Sequence, residues 1–146
     1  MSEEKLPSDA HPFEVLAKAN RMQPKAKRIE WLKKNADFAS RTLLQLNFSD
    51  DISLDVPEGA PPYRKLDAEP GIVPTPPFKP IGELGLLVPS SNLTSLEKET
   101  KFIEILESLH PKDAELVIQA KDGNLTDTYP NITKLLMKEV APNLIK

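Results

Sequence analysis

The stretch TSLEKETKFIEILESLHPKDAELVIQA, residues 94–120, decides the fold. Thr94-Ser95-Leu96-Glu97 has the Ser/Thr-x-x-Glu spacing of a capping box, in which hydroxyl and carboxylate satisfy free N–H groups at a helix start. Phe102, Ile103, Ile105, Leu106 and Leu109 then recur at three- and four-residue steps. They form a wide apolar face flanked by Glu97, Lys98, Lys101, Glu104 and Glu107. Pro111 cannot continue this helix but suits the first turn of the next. Asp113 and Glu115 favour that second N-terminus, where the helix dipole is positive. Ala114, Val117 and Ile118 extend the apolar face. Asp122-Gly123-Asn124 stops it, with Gly123 as the expected left-handed cap.

Outward from this pair of helices, the chain reads as all-α. Residues 1–10 form a polar N-terminal tail without apolar periodicity. A single helical domain is expected over 11–146. Pro12 opens a first helix with Asp9 or His11 as cap and Phe13, Leu16 and Ala17 on one face. Pro24 starts a second with Ala26, Ile29 and Leu32 inward. A third is expected from Ala36 to Leu46, with Phe38, Ala39, Leu43 and Leu46 inward. Residues 52–56 alternate like a strand, but too briefly for a sheet. Residues 57–89 hold nine of the fifteen prolines and four of the five glycines. They read either as a flexible insertion or as a long Pro-rich extended strap, because proline removes donors and forbids helix. Tyr63 and Phe78 would either anchor that strap or, with Trp31, dock a partner. Residues 125–129 read as a connection. A last helix carries Ile132, Leu135, Leu136 and Val140. The sum is a compact bundle of five or six helices, with the strap between the third and fourth.

Composition excludes more than it assigns. The 146 residues carry a net charge of −3 and no cysteine, which removes disulfides, thiolate nucleophiles and cysteine-held metals. No run approaches the roughly 20 apolar residues of a membrane helix, and Met1–Lys5 is unlike a signal peptide. Four Asn-x-Ser/Thr tripeptides, at Asn47, Asn92, Asn124 and Asn131, read as chance and capping chemistry. His11 and His110 each precede a proline at a helix start and read as caps. No metal-ligand spacing, phosphate-binding glycine loop or nucleophile elbow is present. The expectation is a non-enzyme without cofactor, metal or small-molecule substrate.

Charge is unevenly spread. Between 18 and 41, eight cations (Lys18, Arg21, Lys25, Lys27, Arg28, Lys33, Lys34, Arg41) face two acids. Between 50 and 69, six acids face two cations. The basic segment suits contact with a phosphate backbone, which needs cations but no base reading. It equally suits a solvated surface balanced by its acidic neighbour. At about 100° per residue, Lys27 and Lys34 lie opposite the Ile29–Leu32 stripe and near Trp31. Lys25, Lys27, Arg28, Lys34, Arg41 and Lys121 are the candidate nucleic-acid contacts.

Several segments together resemble a family of small uncharacterised proteins of T-even-like tailed phages, notably marine ones. They are Phe13–Leu16, the helix Lys27–Asn35, Arg41–Gln45 with Asn47-Phe48, Val56–Tyr63, Lys101–Ile103, Leu106–Leu116 and Ala120–Asp122. The resemblance covers nearly the whole chain from Phe13. It implies a phage accessory or virion protein, in the host cytoplasm during infection or in the virion. It implies no activity. More faintly, His110–Glu115 and Pro142–Ile145 are similar to turns in the N-terminal helical DNA-binding domain of ATP-dependent DNA ligases. That likeness implies an all-helical fold and duplex DNA contact. The ligase Asp-Leu-Arg-x-Gly segment is here Ala120-Lys121-Asp122-Gly123-Asn124, which keeps only Lys121 as a cation, and no nucleotidyltransferase motif follows. The expected function is therefore a protein-interaction module with a phage or host protein as partner. The alternative is an accessory that binds duplex DNA through its backbone.

Overall fold

The computed structural model describes residues 11–65 and 76–144. Among them are eight α-helices and no strand. They are α1 (Pro12–Arg21), α2 (Lys25–Asn35), α3 (Phe38–Phe48), α4 (Phe78–Gly82), α5 (Ser95–Ser108), α6 (Pro111–Lys121), α7 (Leu125–Thr128) and α8 (Lys134–Val140). A 3₁₀ turn, Glu83–Leu87, continues α4. The expected tail, residues 1–10, lies outside the described residues, as does Ile145.

The stretch that decides the fold forms as its local chemistry requires. At the start of α5, Glu97 N–H donates to Thr94 Oγ1 at 3.1 Å and Thr94 N–H donates to Glu97 Oε1 at 2.8 Å. Two free donors are thus satisfied reciprocally. His110 caps α6, its Nδ1 accepting from Lys112 N–H at 3.1 Å. Gly123 ends α6 at φ +76°, a left-handed conformation that costs glycine no Cβ clash. α6 is the hub of the bundle. It packs on α1, α3, α5 and α7, and Ala114, Leu116, Val117 and Ala120 are buried. α2 lies against α1 and α8, and α4 against α3 and α5. The buried side chains form one apolar cluster, including Leu16, Leu32, Leu43, Phe102, Leu106, Val117 and Met137. Each fully buried large aliphatic or aromatic contributes about 1.5–3 kcal/mol relative to exposure.

The eight helices of the described residues replace the expected five or six, because the short α4 and α7 form inside segments read as strap and connection, and four further expectations need correction. The third helix starts at Phe38, two residues late, because Asp37 is its cap and accepts from Ser40 N–H at 3.0 Å. Phe38 therefore sits in the first turn and is 54% exposed rather than inward. The strap is not extended throughout: α4 and the 3₁₀ turn occupy 78–87. Pro77 and Pro80 fit there because a helix's first turn needs no backbone N–H partners. Residues 66–75 of the strap lie outside the described residues. Residues 125–128 form α7 rather than a plain connection. Finally, Leu135 is exposed, whereas Leu136 and Met137 supply the buried face of α8.

Candidate functional site

Three places gather polar or exposed chemistry: the strap edge on α5 and α6, the junction of α1 with α6, and the outer surfaces of α2 and of the α3–α4 pair.

At the strap edge, residues 55–64 are pinned by polar contacts. Lys98, almost fully buried, reaches Asp55 Oδ2 at 2.9 Å, and Asp55 N–H donates to the Leu87 carbonyl at 2.7 Å. Lys121 Nζ donates to the Pro57 carbonyl at 3.0 Å and pairs with Asp122 Oδ1 at 2.6 Å. It also lies 5.7 Å over the Phe102 ring. Asp122 Oδ2 accepts the Gly59 N–H at 3.0 Å. Gly59 has φ +86°, which bends the strap to reach that carboxylate. Arg64 N–H donates to Glu107 Oε2 at 2.9 Å. Tyr63 is half-buried and packs on the core. Burial, with Glu115 adding, pushes its phenol up from the ordinary value.

At the junction, Asp113 is fully buried and joins two helix starts about a hundred residues apart in sequence. Its Oδ1 accepts the Phe13 N–H at 3.0 Å, satisfying a free donor of α1. Its Oδ2 lies within hydrogen-bond distance of His11 Nδ1, at 2.7 Å. Burial pushes the Asp113 carboxyl up to about 6, against the opposing pull of the Phe13 N–H and His11. The His110 ring lies 5.2 Å from His11. Burial, then the charges of His11 and Lys112, hold its imidazole below the ordinary value. Both histidines lie at helix N-termini, but only His110 caps with its ring; the His11 ring is turned to Asp113. What sequence reasoning missed is that Asp113 serves α1 as well as its own helix. No local signal carries a contact over that separation.

On the outer surfaces the candidate residues divide. Arg28 is structural: its Nε and Nη2 donate to the Ala19 and Met22 carbonyls at 3.0 and 2.6 Å, closing the C-terminus of α1. Lys25 is paired with Glu139 of α8. Arg41 is exposed, with a long 3.4 Å bond to the Asp37 carbonyl. Lys27 and Lys34 are exposed and form no ion pair among the described residues. Lys18 of α1 extends over the Trp31 ring at 4.9 Å. Lys121 does not join this group. It is committed to the strap edge, whereas α2 packs on α1 and α8.

Trp31 is also corrected. Its side chain is buried, with 1% exposure, and Nε1–H donates to the Val15 carbonyl at 3.1 Å. α1 lies along that flank of α2, so the inward face turns toward Trp31, Leu32 and Asn35 and leaves Ala26 exposed. Phe78 is 47% exposed. Phe38, missed as a surface residue, lies over the same short helix: a Cβ at Gly82 would stand 3.4 Å from its ring. Phe78 and Gly82 are one helical turn apart, so the two phenylalanines share a side of α4. The signal that could have found Phe38 is Asp37, whose capping role fixes where α3 begins.

No group of three or more metal-ligating side chains occurs among the described residues, and no helix there is long and apolar enough to cross a membrane. No curated protein matches the chain. A family model described as a family of unknown function, DUF6433, matches residues 15–127. That span is most of the chain, and the protein belongs to the DUF6433 family.

Proposed function

We propose that this protein is a non-enzymatic protein-interaction module, an accessory or virion component in the phage setting that its sequence resemblance implies. The observation that supports this reading is the exposed pair Phe38 and Phe78 on the α3–α4 face. Two large apolar side chains held by short-range helix geometry lose little entropy on binding and suit the desolvated centre of an interface. Leu86 and Leu96, also exposed, line with Leu93 an open depression beside the same 3₁₀ turn. The test is capture from infected cells by the full chain and by a Phe38→Ser/Phe78→Ser variant of unchanged thermal stability. A protein retained by the wild type and lost by the variant supports the reading. Identical retained sets from both would sink it.

The second reading is backbone contact with duplex DNA through the α1–α2 hairpin. It is favoured by the exposed Lys18, Arg21, Lys27 and Lys34, none of which has a carboxylate partner among the described residues. Cations left unpaired can release counterions from phosphate. Fluorescence anisotropy with duplex DNA at low and near-physiological salt tests it. Binding that weakens with salt and falls in Lys27→Glu/Lys34→Glu supports it, and no binding at low salt removes it.

A further inference from the structure

The strap and α5 enclose a groove of about 330 Å³ that neither reading uses. Its apolar lining includes Val56 and Pro61 from the strap and Phe102 and Ile103 from α5. Two carboxylates border it, Glu58 on the strap and Glu99 on the helix. Both are exposed, and neither has an ion-pair or hydrogen-bond partner among the described residues. The contrast with nearby acids is sharp. Asp55, Asp122, Glu83 and Glu107 each hold a lysine or a backbone N–H. The volume lies at the lower end of ligand sites and holds a few side chains. The strap wall bends at residues 58–59, and beyond the bend Ala60 makes no hydrogen bond among the described residues. An adjacent chain can therefore meet unpaired main-chain groups as well as apolar surface. The wall is also fixed, because Lys121 and Asp122 hold its Pro57–Gly59 turn. Little ordering is required of it on binding.

We propose that this groove docks an extended peptide segment of a partner protein, with an aliphatic side chain on Phe102 and Ile103 and a neighbouring lysine or arginine between Glu58 and Glu99. The complementarity is electrostatic at the rim and apolar at the floor, the arrangement that gives an interface both register and affinity. The site shares no residue with the Phe38/Phe78 surface, so it stands or falls separately from that reading.

The probe is a displayed library of random octapeptides, selected against the full chain at low ionic strength. Enrichment of sequences with Lys or Arg beside Val, Ile or Leu is the expected result. A fluorescein-labelled peptide from that pool should bind the Glu58→Lys/Glu99→Lys variant at least about tenfold more weakly. It should bind Phe38→Ser/Phe78→Ser as it binds the wild type. Methyl-labelled protein should show its largest shifts at Ile103 and Val56. No enrichment, enrichment of acidic peptides, or binding indifferent to the two charge reversals would each overturn the proposal. Both charge-reversed positions are exposed and unpaired, so folding of that variant is expected and is checked by its unchanged melting temperature.

Discussion

The α1–α2 hairpin and the strap edge both gather lysines, and they use them oppositely. At the strap edge Lys98 and Lys121 are almost wholly buried, and each closes on a carboxylate. On the hairpin Lys27 and Lys34 stand exposed without a partner. Aromatics divide by cover as well: Trp31 of the hairpin is sealed, and Phe38 of α3, seven residues on, is open. Residue type therefore says little about role here. What decides it is whether a neighbouring element covers that flank. Covered charge holds the structure together, and uncovered charge and aromatics are what a partner can reach.

The contrast breaks most visibly at Trp31. Trp31→Ala should cost about 4 kcal/mol in urea unfolding, since it leaves a cavity against α1 and removes the indole hydrogen bond to the Val15 carbonyl. A loss under about 1 kcal/mol would mean that the side chain is not the seal between α1 and α2. Lys121→Met should come next, at roughly 3 kcal/mol, because it leaves Asp122 buried without its cation. Its effect on any DNA binding should be nil, and a Lys121→Met variant that loses salt-sensitive DNA binding while staying folded would return Lys121 to the basic face.

The junction offers a graded test through pH. Asp113 has its folded value near 6, above its ordinary 3.8. A raised value means that the stabilisation from its protonated form is fully present below the unfolded value and is lost as pH rises through the folded one. The stability difference between wild type and Asp113→Asn should therefore shift against the wild type as pH goes from about 4 to about 6.5. A difference that is flat, or that moves in the wild type's favour, would show that the Asp113 carboxyl is not held up by burial. The smallest effects belong to the open sites. Phe38→Ser and Lys27→Glu/Lys34→Glu should each change stability by no more than about 0.5 kcal/mol. A larger loss from Phe38→Ser would make that ring a structural cover for Gly82 rather than a surface for a partner.

Much of the fold was legible because it is local. The capping box at Thr94 and Glu97, the proline at the start of α6 and the left-handed Gly123 each depend on residues within a few positions of one another. The extended reading of the strap fails where proline does not bar a helix. Pro77 and Pro80 occupy cap and first-turn positions, where the missing N–H costs nothing. For the candidate residues, what the structure adds is which are open and which are held by the fold. Phe78, Lys27 and Lys34 remain on the surface, but Trp31, Arg28 and Lys121 do not serve there.

Hydrogen-bond closure and 3.6-residue periodicity act over one or two turns, so the helical class, the caps and the central α5–α6 pair are written in the residue order. Long-range packing settled which flank of α2 is covered and that Asp113 bridges to α1. It also decided that Lys121 clamps the strap, and that the strap and α5 enclose a groove. Periodicity says which residues share a face. It does not say which neighbour that face will meet, and burial and pairing follow from the neighbour.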